Sequence, residues 1–202
     1  MTKIKLCGMR RPADIEVVNE LNPDYIGFIF TSKSKRYVDP DTAKELKSLL
    51  SPSIKAVGVF VNEEIENVAK LLNENFIDMA QLHGDEDETY IAELRRLSDK
   101  PIIKALKITS EEDIKRADAS SADFVLLDSG AGSGMVFNWG LIKGIKRPYF
   151  LAGGLNPENV EEAVNTLNPY AVDVSSGIET DGFKDKDKMT AFVSNVRKES
   201  TK

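Results

Sequence analysis

Eight short apolar, β-branched runs recur along the chain at near-regular intervals, and no other feature restricts its fold as much. They are Ile4–Cys7, Tyr25–Phe30, Ala56–Val61, Met79–His83, Ile102–Ile108, Phe124–Asp128, Tyr149–Ala152 and Ala171–Ser175. In 202 residues this gives one run about every 25, the length of a strand, a loop and a helix. The segments between them carry helical signals. Asp39-Pro40 starts an apolar stripe of Ala43, Leu46 and Leu50, and Asn156-Pro157 precedes Val160, Ala163, Val164 and Leu167. Asn62 reads as an N-cap before Ile65, Val68, Ala69 and Leu72, while Asp85 with Glu88 and Ser110 with Asp113 read as capping boxes.

Strands alternating with helices pair in parallel through right-handed crossovers. A closed (β/α)8 TIM barrel and an open doubly wound sheet both satisfy that pattern. Eight units favour the barrel with its parallel eight-stranded sheet, although 202 residues lie at the lower end of its size range. The open sheet typically carries a glycine-rich fingerprint after its first strand, and Cys7-Gly8-Met9-Arg10 is not one. The expectation is a single barrel domain over residues 1–202, with the unit from Phe137 to Ile145 the least regular and the tail from about Lys198 frayed.

Charge and cysteine usage exclude several functions. With 27 basic against 33 acidic side chains the net charge is -6, opposite to the basic face that a nucleic-acid binder needs. One cysteine cannot form an internal disulfide, and one cysteine with one histidine makes a poor structural zinc set. The N-terminus lacks the apolar segment of a signal peptide, and no stretch of about 18 apolar residues is present. A cytoplasmic protein without membrane or nucleic-acid partners is expected, as a monomer or a homodimer.

Side chains alternate faces along a strand, so parity separates the barrel interior from the helix-facing surface. If Ile4, Leu6, Ala80, Leu82, Val125, Leu127, Val172 and Val174 face the helices, then Lys5, Cys7, Met79, Gln81, His83, Phe124, Leu126, Asp128, Asp173 and Ser175 point inward. Polar members of the inward set gather toward the C-terminal ends of their strands, the end at which barrels of this kind build their sites. Gly153-Gly154 follows the seventh strand and Ser175-Ser176-Gly177 the eighth. Glycines there merely permit tight turns or, with backbone N–H groups brought close to an anion, cradle a phosphate; two such loops at consecutive strand ends favour the cradle.

Cys7 is either an inert buried thiol or, at the mouth with cations such as Lys5 and Arg10 nearby, a general base. Asp128, ahead of the glycine-rich Ser129–Gly134 segment that reads as a mobile loop, is either a turn-capping carboxylate or a general acid. A thiol and a carboxyl across one cavity suit proton transfer at two atoms of one small-molecule substrate. Arg36, in the basic segment Ser32–Tyr37, is a solvated surface charge or a fork for a substrate carboxylate. Gln81, His83, Asp173, Ser175 and Ser176 complete the expected binding set with Gly153, Gly154 and Gly177. His83 reads more simply as hydrogen-bonded to the rim than as a proton carrier, and Trp139 as packing for the sixth loop.

Taken in order, Lys5-Leu6-Cys7-Gly8-Met9, Gly27-Phe28-Ile29-Phe30, Ser34-Lys35-Arg36-Tyr37, Val57-Gly58-Val59-Phe60, Gln81-Leu82-His83-Gly84, Leu127-Asp128-Ser129, Phe137-Asn138-Trp139, Leu151-Ala152-Gly153-Gly154-Leu155 and Val172-Asp173-Val174-Ser175-Ser176-Gly177-Ile178-Glu179 resemble the phosphoribosylanthranilate isomerases, aldose–ketose isomerases of tryptophan biosynthesis. The resemblance spans nearly the whole chain. It implies the (β/α)8 barrel, with Cys7 as general base, Asp128 as general acid and Arg36 holding the anthranilate carboxylate. It also implies an Amadori rearrangement in which an iminium is the electron sink, so that neither metal nor organic cofactor is called for.

Two segments depart from the family. Ala131-Gly132-Ser133-Gly134 stands where Gly-Gly-Thr-Gly is common, and Asp181 precedes Gly182 where proline is common. The related histidine-pathway isomerase fits less well, because the first half of the chain has no second Gly-Gly cradle and Cys7 occupies the base position. Indole-glycerol-phosphate synthase lacks its expected lysine acid here. A catalytically dead phosphate-binding barrel would have no need of the Cys7–Asp128 pair.

Overall fold

The computed structural model describes residues 1–128, 139–142 and 144–198. Eight parallel strands close into a barrel in chain order: β1 (Lys3–Cys7), β2 (Tyr25–Ile29), β3 (Lys55–Phe60), β4 (Met79–Leu82), β5 (Ile102–Lys107), β6 (Phe124–Asp128), β7 (Tyr149–Ala152) and β8 (Ala171–Val174). Helices α1 (Pro12–Leu21), α2 (Pro40–Ser48), α3 (Ile65–Asn73), α4 (Glu88–Leu97), α5 (Glu111–Ala119), α6 (Trp139–Ile142), α7 (Val160–Leu167) and α8 (Lys186–Arg197) alternate with the strands. After β8 come a 3-10 turn (Ser176–Ile178) and a two-stranded antiparallel hairpin, β9 (Glu179–Thr180) with β10 (Phe183–Lys184). Among the described residues no helix is long and apolar enough to cross a membrane.

The period-2 reading of the strands is observed as two separate apolar clusters. Ile4, Leu6, Ala80, Leu82, Val125, Leu127, Val172 and Val174 belong to the shell between strands and helices. Tyr25, Val57, Met79, Ile103, Ala105, Leu126 and Phe150 fill the barrel itself. Each fully buried aliphatic or aromatic side chain adds roughly 1.5–3 kcal/mol of transfer free energy, so a one-residue slip that exchanged the two faces would be strongly disfavoured. At the N-terminal end Tyr25, Phe124, Phe150 and Tyr170 stack and tilt against one another, and the Tyr25 and Tyr170 hydroxyls lie 3.1 Å apart. This aromatic floor leaves the polar inward side chains at the opposite mouth.

The helix starts are partly as the sequence indicates. Asp39 accepts from the Thr42 N–H at 2.9 Å ahead of Pro40, and Ser110 with Asp113 forms the reciprocal box. Asn62 is not a cap. It sits in the left-handed region (φ 52), its Oδ1 accepts from the Asp85 N–H at 2.7 Å, and α3 starts after Glu64. Because Asp85 is engaged there, Asp87 caps α4 instead, accepting from the Tyr90 N–H at 2.9 Å. Asn156 closes a turn by accepting from Glu158 and Asn159, and the helix begins at Val160. The Ser129–Gly134 loop, the Trp139 side chain and the tail beyond Lys198 lie outside the described residues. Where the family commonly has proline, Asp181 adopts φ 51 and Gly182 φ 77, a pair of positive values that makes a tight hairpin turn and that a proline ring cannot adopt at 181.

Candidate active site

The C-terminal mouth of the barrel opens into a cavity of about 400 Å³. Its lining includes Cys7, Arg36, Gln81, His83, Asp128, Gly153, Gly154, Asp173, Ser175 and Ser176, every expected site residue except Gly177. Cys7 ends β1 and Asp128 ends β6, with β7 and β8 between them around the shorter arc of the barrel. A thiol and a carboxyl therefore face one hollow from well-separated strands.

The floor beneath the thiol is ionic. Lys5, two residues before Cys7 on the same strand face, is completely buried, and its Nζ lies 3.0 Å from Asp173 Oδ1 on the adjacent β8. Burial alone would depress the lysine, but Asp173 and the thiol outweigh it and hold it above its ordinary value, so it stays an ammonium. Gly27, Cys7's register partner on β2, gives the thiol its space: a Cβ there would fall 2.5 Å from Sγ. Ser175 Oγ donates to the Cys7 carbonyl at 3.2 Å, tying the end of β8 to the end of β1.

Burial pushes the Cys7 thiol above its ordinary value, Asp173 adds to that, and Lys5 and Lys184 pull against it. The expected cation Arg10 is not among them. Its guanidinium donates to the carbonyls of Lys35 (2.8 Å) and Gly182 (2.7 Å) and stacks 4.7 Å from the Phe183 ring, so it ties loops together instead. Lys184, on the distant β10, fills the role.

Arg36 also differs from the open fork expected. Its Nε and Nη2 donate to the two Glu179 oxygens at 2.6 and 2.7 Å, while Lys184 Nζ lies 2.7 Å from Glu179 Oε1 and donates to the Ser175 carbonyl at 2.8 Å. Among the described residues only the Nη1 edge of Arg36 lacks a protein partner, and that edge is what a ligand carboxylate can use. Burial would raise the Glu179 carboxyl, but the hydrogen bonds from Arg36 and Lys184 prevail and bring it down to about 2. Glu179, Lys184 and Gly27 are the parts that local sequence reasoning missed. A glycine inside a strand was the available signal for Gly27.

Across the cavity, Gln81 Nε2 lies 3.0 Å from His83 Nδ1, and His83 Nε2 lies 3.5 Å from Asp128 Oδ2. An amide nitrogen donates, so in this orientation Nδ1 is the accepting nitrogen of that contact. Gln81 Oε1 is buried without a partner among the described residues. The two loops expected to hold phosphate adjoin one another. Gly153 and Gly154 take φ 90 and 70, and Gly177 packs so closely on Leu155 and Asn156 that a Cβ would collide with the Leu155 carbonyl oxygen. Gly177 thus lets the loops meet and does not itself line the hollow. Among the described residues no group of three or more His, Cys, Asp or Glu could hold a metal ion.

A closed parallel barrel with a thiol, a carboxyl and glycine-rich loops lining a cavity at its C-terminal mouth has the architecture of a (β/α)8-barrel enzyme. Comparison with known proteins narrows this. The family model described as N-(5'phosphoribosyl)anthranilate (PRA) isomerase matches residues 4–195, and the chain belongs to that family. The N-(5'-phosphoribosyl)anthranilate isomerase of Endomicrobium trichonymphae is 46% identical over 202 residues, covering 98% of this chain and 99% of that one. A monomeric form of the dimeric enzyme from Thermotoga maritima superimposes with a TM-score of 0.87 at 36% identity, over 98% of this chain and 100% of that one. A phosphoribosyl anthranilate isomerase solved with reduced 1-(o-carboxyphenylamino)-1-deoxyribulose 5-phosphate gives a TM-score of 0.86 at 35% identity, with coverage of 98% and 100%.

Proposed function

We propose that the chain converts N-(5-phosphoribosyl)anthranilate into 1-(2-carboxyphenylamino)-1-deoxyribulose 5-phosphate, the Amadori step of tryptophan biosynthesis, with Asp128 as acid and Cys7 as base. The observation that carries this reading is that both groups line one cavity with the Gly153-Gly154 and Ser175-Ser176 loops. Asp128 protonates the ribose ring oxygen, the C1′–O bond breaks, and the anthranilate nitrogen lone pair forms the iminium. The Cys7 thiolate then removes the C2′ proton, and the C2′–H electrons fill the iminium to give an enolamine. Loss of the enol proton and protonation at C1′ complete the ketone. The substrate gains one proton at the ring oxygen and loses one at C2′, so the product is an isomer. Because the iminium receives the electrons, the reaction calls for no metal or organic cofactor.

The remaining residues bind and orient. Gly153, Gly154, Ser175, Ser176 and the Gly177-dependent meeting of their loops hold the phosphate. Arg36 meets the anthranilate carboxylate through Nη1. Gln81, His83 and Asp173 surround the sugar, with the unpaired Gln81 Oε1 suited to a hydroxyl donor. Fixing the far phosphate lets its binding energy position the reacting carbons. We further read residues 1–202 as one domain, cytoplasmic, acting on this small molecule without nucleic acid, as a monomer or a homodimer.

Anthranilate fluorescence tests the reading directly. Cys7→Ala and Asp128→Asn should each lower kcat by roughly 10²–10⁴ while a product analogue still binds. Near-wild-type rates in both variants would remove the role assignment. Binding without turnover by the wild-type chain would make it a sensor and not an enzyme.

A further inference from the structure

We propose that Lys5, clamped by Asp173, is a positioning residue that sets how readily Cys7 releases its proton, and that Asp173 opposes it. The proposal rests on the reading of Cys7 as base. Its geometry is independent of that reading. Lys5 is among the largest fully buried side chains and sits on the same strand face as the thiol, with its one carboxylate partner at 3.0 Å on β8. A buried ion pair contributes little net stability over apolar residues of similar volume, because desolvation offsets attraction. Apolar side chains such as Val57, Met79, Ile103 and Leu126 fill much of the interior, so packing alone gives no reason for a charge at this point.

The groups facing the thiol come from every element around it. Lys5 lies on its own strand, Asp173 on β8, Lys184 on β10 and Arg36 on the segment after β2, while β2 places Gly27 against the thiol. Lys184 and Arg36 both share Glu179, which sits between them and cancels much of their field. Lys5, although paired with Asp173, is the cation that acts most strongly on the thiol. Loss of the Lys5 charge therefore disfavours the thiolate, and loss of the Asp173 charge favours it. Both act through charge on Cys7.

The chain has a single cysteine, so the ultraviolet absorbance of the thiolate, with a Cys7→Ala blank subtracted, reports on Cys7 alone. In Lys5→Met the thiol midpoint should move up by roughly 1–3 pH units, the range for loss of a close opposite charge, and in Asp173→Asn it should move down. The acid limb of kcat/KM should follow the thiol midpoint in each. Opposite signs are the signature, because a merely structural role would perturb both variants alike. If Lys5→Met fails to fold, the downward shift in Asp173→Asn decides the matter. Unmoved midpoints, or shifts in the same direction, overturn the proposal. A moved thiol midpoint with an unmoved kinetic limb supports the ion-pair control and overturns the role of Cys7 as base.

Discussion

Replacing Glu179 with glutamine tests the electrostatics of the mouth most sharply, because one carboxylate there restrains two cations. Its side chain is only 9% exposed, with Arg36 and Lys184 both within 2.7 Å. Held at about 2 against an ordinary 4.5, the carboxyl contributes on the order of 3 kcal/mol in its ionised form. The folded value is depressed, so this stability is fully present above the unfolded value and is lost as pH falls toward 2. Glutamine cannot ionise. The stability difference between wild type and Glu179→Gln should therefore be about 3 kcal/mol at pH 7 and shrink to about 1 kcal/mol at pH 3. Urea unfolding of both proteins across that range measures it, and the subtraction removes the other carboxylates. A difference below 1 kcal/mol at pH 7, or one that stays constant down to pH 3, would refute the reasoning. The same variant frees the Arg36 guanidinium from its bidentate partner, so KM should rise while kcat changes less.

Two glycines give further tests. In Gly27→Ala the new methyl would lie 2.5 Å from Sγ and 3.1 Å from the Cys7 Cα, so the thiol must turn away. A kcat loss of at least tenfold with KM little changed is expected, and a kcat within twofold of wild type would show that thiol direction is unimportant. Gly177→Ala places a methyl against the Leu155 carbonyl and forces the two loops apart. KM for the phosphorylated substrate should rise at least tenfold and inhibition by inorganic phosphate weaken in parallel; unchanged values would separate Gly177 from the phosphate loops.

What the sequence revealed and what it hid divide along the range of the interactions involved. The barrel and the inward set from Lys5 to Ser175 follow from a period of two within strands and a period of about 25 between them, both of which are local properties. The Asp39 and Ser110 caps were equally local. The misread starts at Asn62 and Asp85 failed because the two residues bind each other across neighbouring loops, which intrinsic capping preference does not encode. Arg36 meets a carboxylate 143 positions away, and the space for the thiol depends on Cys7 lying opposite Gly27 in the sheet. Neither is visible until the barrel closes. The same distinction separates the cations around Cys7. Arg10, close in sequence, is drawn to the Phe183 hairpin, and Lys184 arrives only because Asp181 and Gly182 turn that hairpin back over β8. Lys5 alone among the cations facing the thiol is placed by strand periodicity itself: two residues before Cys7, on the same face, and sealed from solvent. Any sequence that keeps the strand and the cysteine while changing residue 5 to an apolar side chain should therefore keep the fold and make the thiol still harder to ionise.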